Sequence, residues 1–147
     1  MRELEDSRSF YYGRLMAVYE KIEIDAVGSK EKDDDTKKGK NNTHRITNAD
    51  KLWSSMIRTP ERTRFIIETK IKPYINILKK NNYGSYVFYD KLITEITQKL
   101  IQLKEANSNT SGSLNEDFIL GYYYQKNAFY QKKDKDNEKD ENKVISN

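Results

Sequence analysis

Apolar residues recur along most of the chain at steps of three, four and seven, the period of a helix with one buried stripe. Leu4, Tyr11, Leu15, Val18 and Ile22 form the first such stripe, with Arg14 and Lys21 seven apart on a neighbouring stripe beside Phe10 and Ala17. Gly13 falls inside this helix, where glycine costs about 1 kcal/mol relative to alanine; a close helix crossing accounts for it, and so does a tolerated glycine. Thr47 and Asp50 have capping-box spacing and open a short helix that turns Trp53, Met56 and Ile57 inward. In "RTPER" Thr59 is placed to cap the next helix and Pro60 suits its first position, where the missing N–H is unpaired in any case. That helix buries Ile67, Ile71, Tyr74, Ile75 and Leu78 and turns Arg62, Lys72, Lys79 and Lys80 outward. Pro73 within it predicts a kink or a split, because proline removes one hydrogen bond and crowds the preceding turn.

"NNYG" at 81–84 reads as a turn, followed by a helix with Phe88, Leu92, Ile96, Leu100 and Leu103 on one stripe. "SYVFY" at 85–89 is rich in strand formers, but the helical period continues past it. After the loop "NSNTSGS", Ser113 and Glu116 form a capping-box pair that starts the last helix. There Leu114, Phe118, Tyr122 and Phe129 point to the core, Lys126 and Lys133 form a second line, and Tyr123 and Tyr130 a third. The pattern predicts an all-α fold, a four- to five-helix bundle over residues 1–133. Two segments fall outside the periodicity: a long polar loop at 27–45, flexible and within the bundle, and a charged tail at 134–147. Neither contains enough apolar surface to offset the entropy of ordering, and both read as disordered.

Composition narrows the chemistry. With 147 residues the chain fits one domain, and with no cysteine it has no disulfide, thiolate metal site or cysteine nucleophile. The single histidine, His44, lies in the polar loop, which excludes multi-histidine metal clusters. The acidic run in "KDDDTKK" lacks the glycine turn and distal glutamate of a calcium loop and reads as solvated charge. No phosphate loop, dinucleotide fingerprint or nucleophile–base pair is present, so the expectation is a protein that is not an enzyme and needs no cofactor and no metal. No apolar run is long enough to span a bilayer and the start, "MRELEDSRSF", has no signal-peptide pattern, so no membrane partner and a cytoplasmic location are expected.

The net charge of +4 is unevenly spread. Residues 51–80 hold 8 basic and 2 acidic groups, whereas residues 1–26 hold 4 and 6, and 134–147 hold 3 and 5. A basic, ring-bearing helical surface suits a nucleic-acid backbone, since lysine and arginine neutralise phosphates and aromatic faces stack on unpaired bases. A helical bundle that binds other proteins has the same composition. A solvated helix face, rings packed against neighbouring helices, and salt bridges to other subunits are the plain alternatives for each residue.

Three motifs, in order, carry a resemblance. "LGYYYQKNAFYQKK" at 120–133 resembles the C-terminal signature of the large subunit of type I-C CRISPR Cascade. "YGRLMAVYEKI" at 12–22 is similar to that family's G-R-L-x-A-V-x-E-K-I stretch, and "RTPERTRF" at 58–65 to its T-P-x-x-x-F turn. The resemblance spans about residues 10–133; Tyr124, Lys126 and Asn127 depart from the family's usual histidine, arginine and glutamine. Lysine keeps the charge at 126 but loses the bidentate fork of arginine.

The large subunit's upstream body is missing from this sequence. In the family the C-terminal helical domain is also made separately from an internal start and serves as the small subunit, which Met1 just before the G-R-L motif fits; an excised domain reads the same way. The resemblance implies a non-catalytic small subunit that stabilises the R-loop between the backbone subunits and the large subunit. Its partners are then those subunits, the guide RNA–target DNA heteroduplex, the displaced non-target strand and a second copy of itself. Base pairing supplies sequence and the protein supplies backbone contacts. The residues expected to contact nucleic acid, on one positive and partly aromatic face, are Arg14, Lys21, Arg58, Arg62, Arg64, Lys126 and Lys133, with Arg14 and Lys126 inside family motifs. The alternatives are a purely structural helical adaptor and a stand-alone helical regulator.

Overall fold

A computed structural model of the chain describes residues 4, 7–31, 45–106 and 112–145, the side chains of 30–31 and 132–145 excepted. The described residues form helices α1 (Arg8–Glu31), α2 (Asn48–Lys51), α3 (Trp53–Arg58), α4 (Pro60–Asn81), α5 (Tyr83–Ala106) and α6 (Asp117–Ile145). Four long helices make the bundle, and α2 and α3 are short pieces that lead into α4. "SYVFY" lies in α5, as its helical period predicts. The turn at "NNYG" shrinks to the single residue Asn82 between α4 and α5. Pro73 does not split α4, which runs as one helix from Pro60 to Asn81. Of the loop expected at 27–45, residues 27–31 are the end of α1, and 32–44 lie outside the described residues. The backbone of α6 is helical to Ile145, and the side chains of the segment expected as a tail lie outside the described residues.

The centre of the bundle is α1, packed against α6, α4, α5 and α2. The stripe Tyr11, Leu15, Val18 and Ile22 is buried, but so are Tyr12, Met16, Ala17 and Tyr19. A helix surrounded by its neighbours is buried on more than one face, and each fully buried large apolar side chain contributes roughly 1.5–3 kcal/mol. Leu4, assigned to the same stripe, is exposed. The other helices bury one stripe each: Ile67, Ile71 and Leu78 on α4, Ile96 and Leu100 on α5, Phe118 and Tyr122 on α6. Tyr74, Ile75, Phe88, Leu92, Leu103 and Phe129 are partly buried against that core.

Gly13 marks a close crossing of α1 and α6. A Cβ added there would collide with the carbonyl oxygen of Phe118 and lie 2.8 Å from the amide nitrogen of Tyr122. Gly121 is its counterpart: a Cβ would collide with the carbonyl oxygen of Phe10 and lie 2.7 Å from its carbon. Backbone meets backbone at both points, so no side-chain rotation can make room. Both glycines are buried, and the crossing fixes α6 on α1.

The caps follow the sequence in part. Thr47 and Asp50 form a reciprocal capping box on α2. Thr59 stands at the N-cap of α4 with Pro60 next to it, but its hydroxyl donates to the Ser55 carbonyl (3.2 Å) and meets the Thr63 hydroxyl (3.2 Å) without capping a backbone amide of α4. The expected Ser113–Glu116 box does not start α6, which begins at Asp117. Its first turn is held by Asn115, whose Oδ1 accepts from the Asp117 amide (3.0 Å) and whose own amide donates to Ser9 Oγ (3.0 Å). Ser7 Oγ donates to the Asp117 carboxylate at 2.7 Å. The start of α6 is thus capped locally by Asn115 and tied to the beginning of α1 through Ser7 and Ser9, long-range contacts that local spacing does not reveal.

Candidate functional site

Polar residues of α1 act as pins for its neighbours. Tyr122 donates its hydroxyl to Glu20 (2.7 Å), and Lys126 approaches the same carboxylate at 3.5 Å. Glu23, nearly fully buried, accepts from the Asn48 amide nitrogen (3.1 Å), the Asn48 side chain (2.6 Å) and Arg45 (3.3 Å). Asp25 accepts from the Tyr89 hydroxyl and pairs with Lys21 at 3.2 Å. In the fourth pin the donor lies on α1: Tyr19 donates to Glu68 (2.6 Å), which also holds Arg64 at 3.0 Å. Each buried charge has a partner, which is the condition for tolerating it in a core.

These pins set the protonation of the tyrosines. Burial, then the Glu20 carboxylate, pushes the Tyr122 phenol up to about 12. Burial and Asp25 push Tyr89 up further, and burial and Glu68 raise Tyr19. For Lys126 burial works against the charge, but Tyr122 and Glu20 outweigh it and leave the ammonium above its ordinary value. A tyrosine whose folded pKa is raised releases its proton more readily when unfolded. Its contribution to stability is therefore intact below about pH 10 and is lost as pH climbs towards the folded value. Urea unfolding midpoints should be level from pH 8 to 9.5 and fall between pH 10 and 12, together with a phenolate absorbance step at 295 nm. A Tyr122→Phe chain should show a shallower fall.

Rings account for the composition of α6. On the inner side Trp53 meets Phe118 and Tyr122 edge-on, with centroids 4.6 and 4.9 Å apart, and Phe129 meets Tyr89 at 5.9 Å. On the outer side Tyr123 and Tyr130 are 57% and 63% exposed, a second aromatic line joined to the core where Tyr123 meets the Tyr122 ring at 5.2 Å. Tyr124 is also exposed and faces the guanidinium of Arg14 at 5.3 Å.

The cations expected to contact nucleic acid fall into several settings. Arg14 is half-buried; its Nε donates to Gln125 (2.9 Å), and it lines a groove with Tyr11, Glu95 and Lys99. Lys21 and Lys126 come together in a groove of about 340 Å³, with Arg45, Tyr122, Phe129 and Tyr130. Both are paired with carboxylates there. Arg64 lines a third groove, paired with Glu68 and donating to Thr97 at 3.2 Å. Arg58 and Arg62 are exposed at the α3–α4 junction, with no ion pair among the described residues. The side chain of Lys133 lies outside the described residues.

A more continuous surface is the outer face of α4. Arg62, Phe65, Thr69, Lys72, Asn76 and Lys80 follow one another at steps of three or four and are all exposed. Lys70 and Lys79 flank them, also exposed. The two carboxylates of α4, Glu61 and Glu68, border this stripe where it meets the groove that contains Arg64 and Phe65. The stripe is about 27 Å long at 1.5 Å per residue. The basic balance of 51–80 signalled this surface in the sequence. Phe65, 74% exposed among these cations, entered the sequence reading only as the last residue of the 58–65 motif and not as a contact residue; its position off the apolar stripe of α4 was the available signal.

Among the described residues no group of three or more metal-ligating side chains occurs, and no helix is long and apolar enough to cross a membrane. The family described as CRISPR-associated protein (Cas_Csd1) matches residues 1–130. The chain belongs to this Csd1 family. No curated protein matches the chain. The family match spans all three motifs up to Tyr130, and with them the α1–α6 crossing, the α3–α4 junction and the α4 stripe. It makes the chain a CRISPR-associated, Cascade-related protein, and membership implies assembly with other Cascade subunits.

Proposed function

We propose that the chain is the non-catalytic small subunit of a type I-C Cascade, corresponding to the C-terminal helical domain of the large subunit and produced from an internal start. In this role it stabilises the R-loop by sequence-independent contacts to the displaced non-target strand, beside the guide RNA–target DNA heteroduplex. It bridges the backbone subunits and the large subunit in the cytoplasm, together with a second copy of itself. The observation that carries the DNA contact is the outer face of α4, where Arg62, Lys72 and Lys80 are exposed on one stripe, with Glu61 and Glu68 at its edge. Fixed cations of this kind hold phosphates without reading bases. Arg58 extends the charge at one end of α4. Arg14, Lys21, Arg64, Lys126 and Lys133 complete the set proposed to contact nucleic acid.

A second reading, a structural adaptor that makes only protein contacts, is favoured by one observation. Lys21, Arg64 and Lys126 are already paired with Asp25, Glu68 and Glu20 inside the chain. A phosphate would have to compete with those carboxylates. The two readings separate in a reconstituted complex that lacks this chain. Adding the wild-type chain back should restore both assembly and R-loop yield. A chain with its α4 stripe reversed in charge should restore assembly but not R-loop yield; if it restores both, the adaptor reading is correct.

A further inference from the structure

The groove beside the α4 stripe contains features that phosphate neutralisation alone does not require. It has a volume of about 300 Å³ and lies between α1, α4 and α5, lined by the cations Arg8, Arg64 and Lys104, the carboxylates Glu61 and Glu68, and the rings and aliphatic side chains of Tyr12, Phe65, Leu100 and Ile101. Phe65 and Ile101 are 74% and 51% exposed at its edge, while Tyr12 and Leu100 are buried. A phenylalanine and an isoleucine left open to water around one groove form an apolar mouth that folding has not covered. Three cations stand around that mouth against two carboxylates, and Glu68 already holds Arg64. The Arg8 guanidinium lies over the Tyr12 ring at 5.3 Å and donates to the Gly112 carbonyl at 3.2 Å; it has no carboxylate partner among the described residues. Lys104 is exposed and only loosely paired, 3.9 Å from Glu61.

We infer that this groove is a nucleotide-sized site that takes one unstacked base of a single strand, with Phe65 and Ile101 against the base and Arg8 and Lys104 towards its phosphates. The inference rests on the nucleic-acid reading of the α4 stripe and extends it from charge to ring stacking. Three observations support that ligand class. The volume is at the lower end of small-molecule sites and suits one nucleotide. An accessible ring beside cations is the combination that single-strand binders use, because every base has a stackable face. The groove also adjoins the stripe through Phe65, which belongs to both, so a strand tracking Arg62 and Lys72 passes its mouth. A duplex keeps its bases stacked and cannot fill the site, so the proposed ligand is single-stranded.

The test compares two probes with equal phosphate charge: a twelve-residue oligothymidylate and a twelve-residue abasic strand. Affinities are measured by fluorescence anisotropy with the full 147-residue chain at one salt concentration. The wild type should bind the thymidylate about tenfold more tightly, the size expected of base stacking on one accessible ring. Phe65→Ala should abolish that preference while leaving abasic-strand affinity unchanged, and Phe65→Trp should keep it. Equal binding of the two probes by the wild type, or a preference that survives in Phe65→Ala, overturns the site and leaves the phosphate reading standing. Failure to bind either probe overturns the phosphate reading, and the site with it. Because Phe65 is largely exposed, these substitutions leave the fold intact, which a matching circular dichroism melt verifies.

Discussion

Gly13→Ala and Gly121→Ala each lower the stability of the chain by about 3 kcal/mol, the upper range for overpacking, because the added methyl meets backbone and not a movable side chain. The two helices can separate only as rigid bodies, and that would loosen the packing of Phe118 and Tyr122 against Trp53. The two substitutions should not be additive, since both push apart the same pair of helices and the first displacement relieves part of the second. Gly28→Ala is the control. Gly28 is a helical glycine of α1 with nothing near the position of an added Cβ, so alanine there should stabilise by about 0.5–1 kcal/mol through helix propensity. Urea titrations of the four chains, wild type included, check these signs directly. A Gly13→Ala midpoint equal to that of the wild type would remove the close crossing from this account of the fold.

Reversing charge on α4 should have the largest functional effect. The triple variant Arg62→Glu, Lys72→Glu, Lys80→Glu should weaken single-strand binding by about a hundredfold near 0.1 M salt, because it replaces three phosphate-neutralising contacts with repulsive ones. The fold should tolerate it, as all three side chains are exposed and exposed substitutions seldom change stability by more than about 0.5 kcal/mol. Lys126 is a less clean probe. A glutamate there would face Glu20 and the Tyr122 hydroxyl, so lost binding would be mixed with lost stability. Equal affinity of the triple variant and the wild type would assign any nucleic-acid contact to another surface.

The period of apolar positions was enough to place the four long helices, because burial of one stripe leaves a direct trace in the sequence. It was less informative for α1. The pattern showed the stripe Tyr11, Leu15, Val18 and Ile22, but Tyr12, Met16 and Tyr19 are buried too, since α1 is surrounded by its neighbours. A tyrosine is compatible with either a rim or a core, and only the partner decides. Tyr19 sits in the core because Glu68 on α4 receives its hydroxyl. Gly13 was recognisable as an anomaly, but its meaning depended on Gly121, more than a hundred residues away in sequence.

The candidate site was legible as charge balance and not as geometry. The net positive charge of 51–80 pointed to the outer face of α4. Spacing along single helices contained the i,i+4 pairs Lys21–Asp25 and Arg64–Glu68, but it could not show that Lys126 is paired across to Glu20 on α1. Arg8 and Lys104 escaped notice because they meet in a groove made by the ends of separate helices.

The most direct test of the central claim is the salt dependence of single-strand binding by the isolated chain. Three to five phosphate contacts predict that log K falls linearly with log salt, with a slope of about −2 to −3.5. The slope should be the same for strands of different sequence and should become shallower by about 2 in the α4 triple variant. A slope near zero, or no binding at low salt, would contradict the account and leave the adaptor as the working description of the chain.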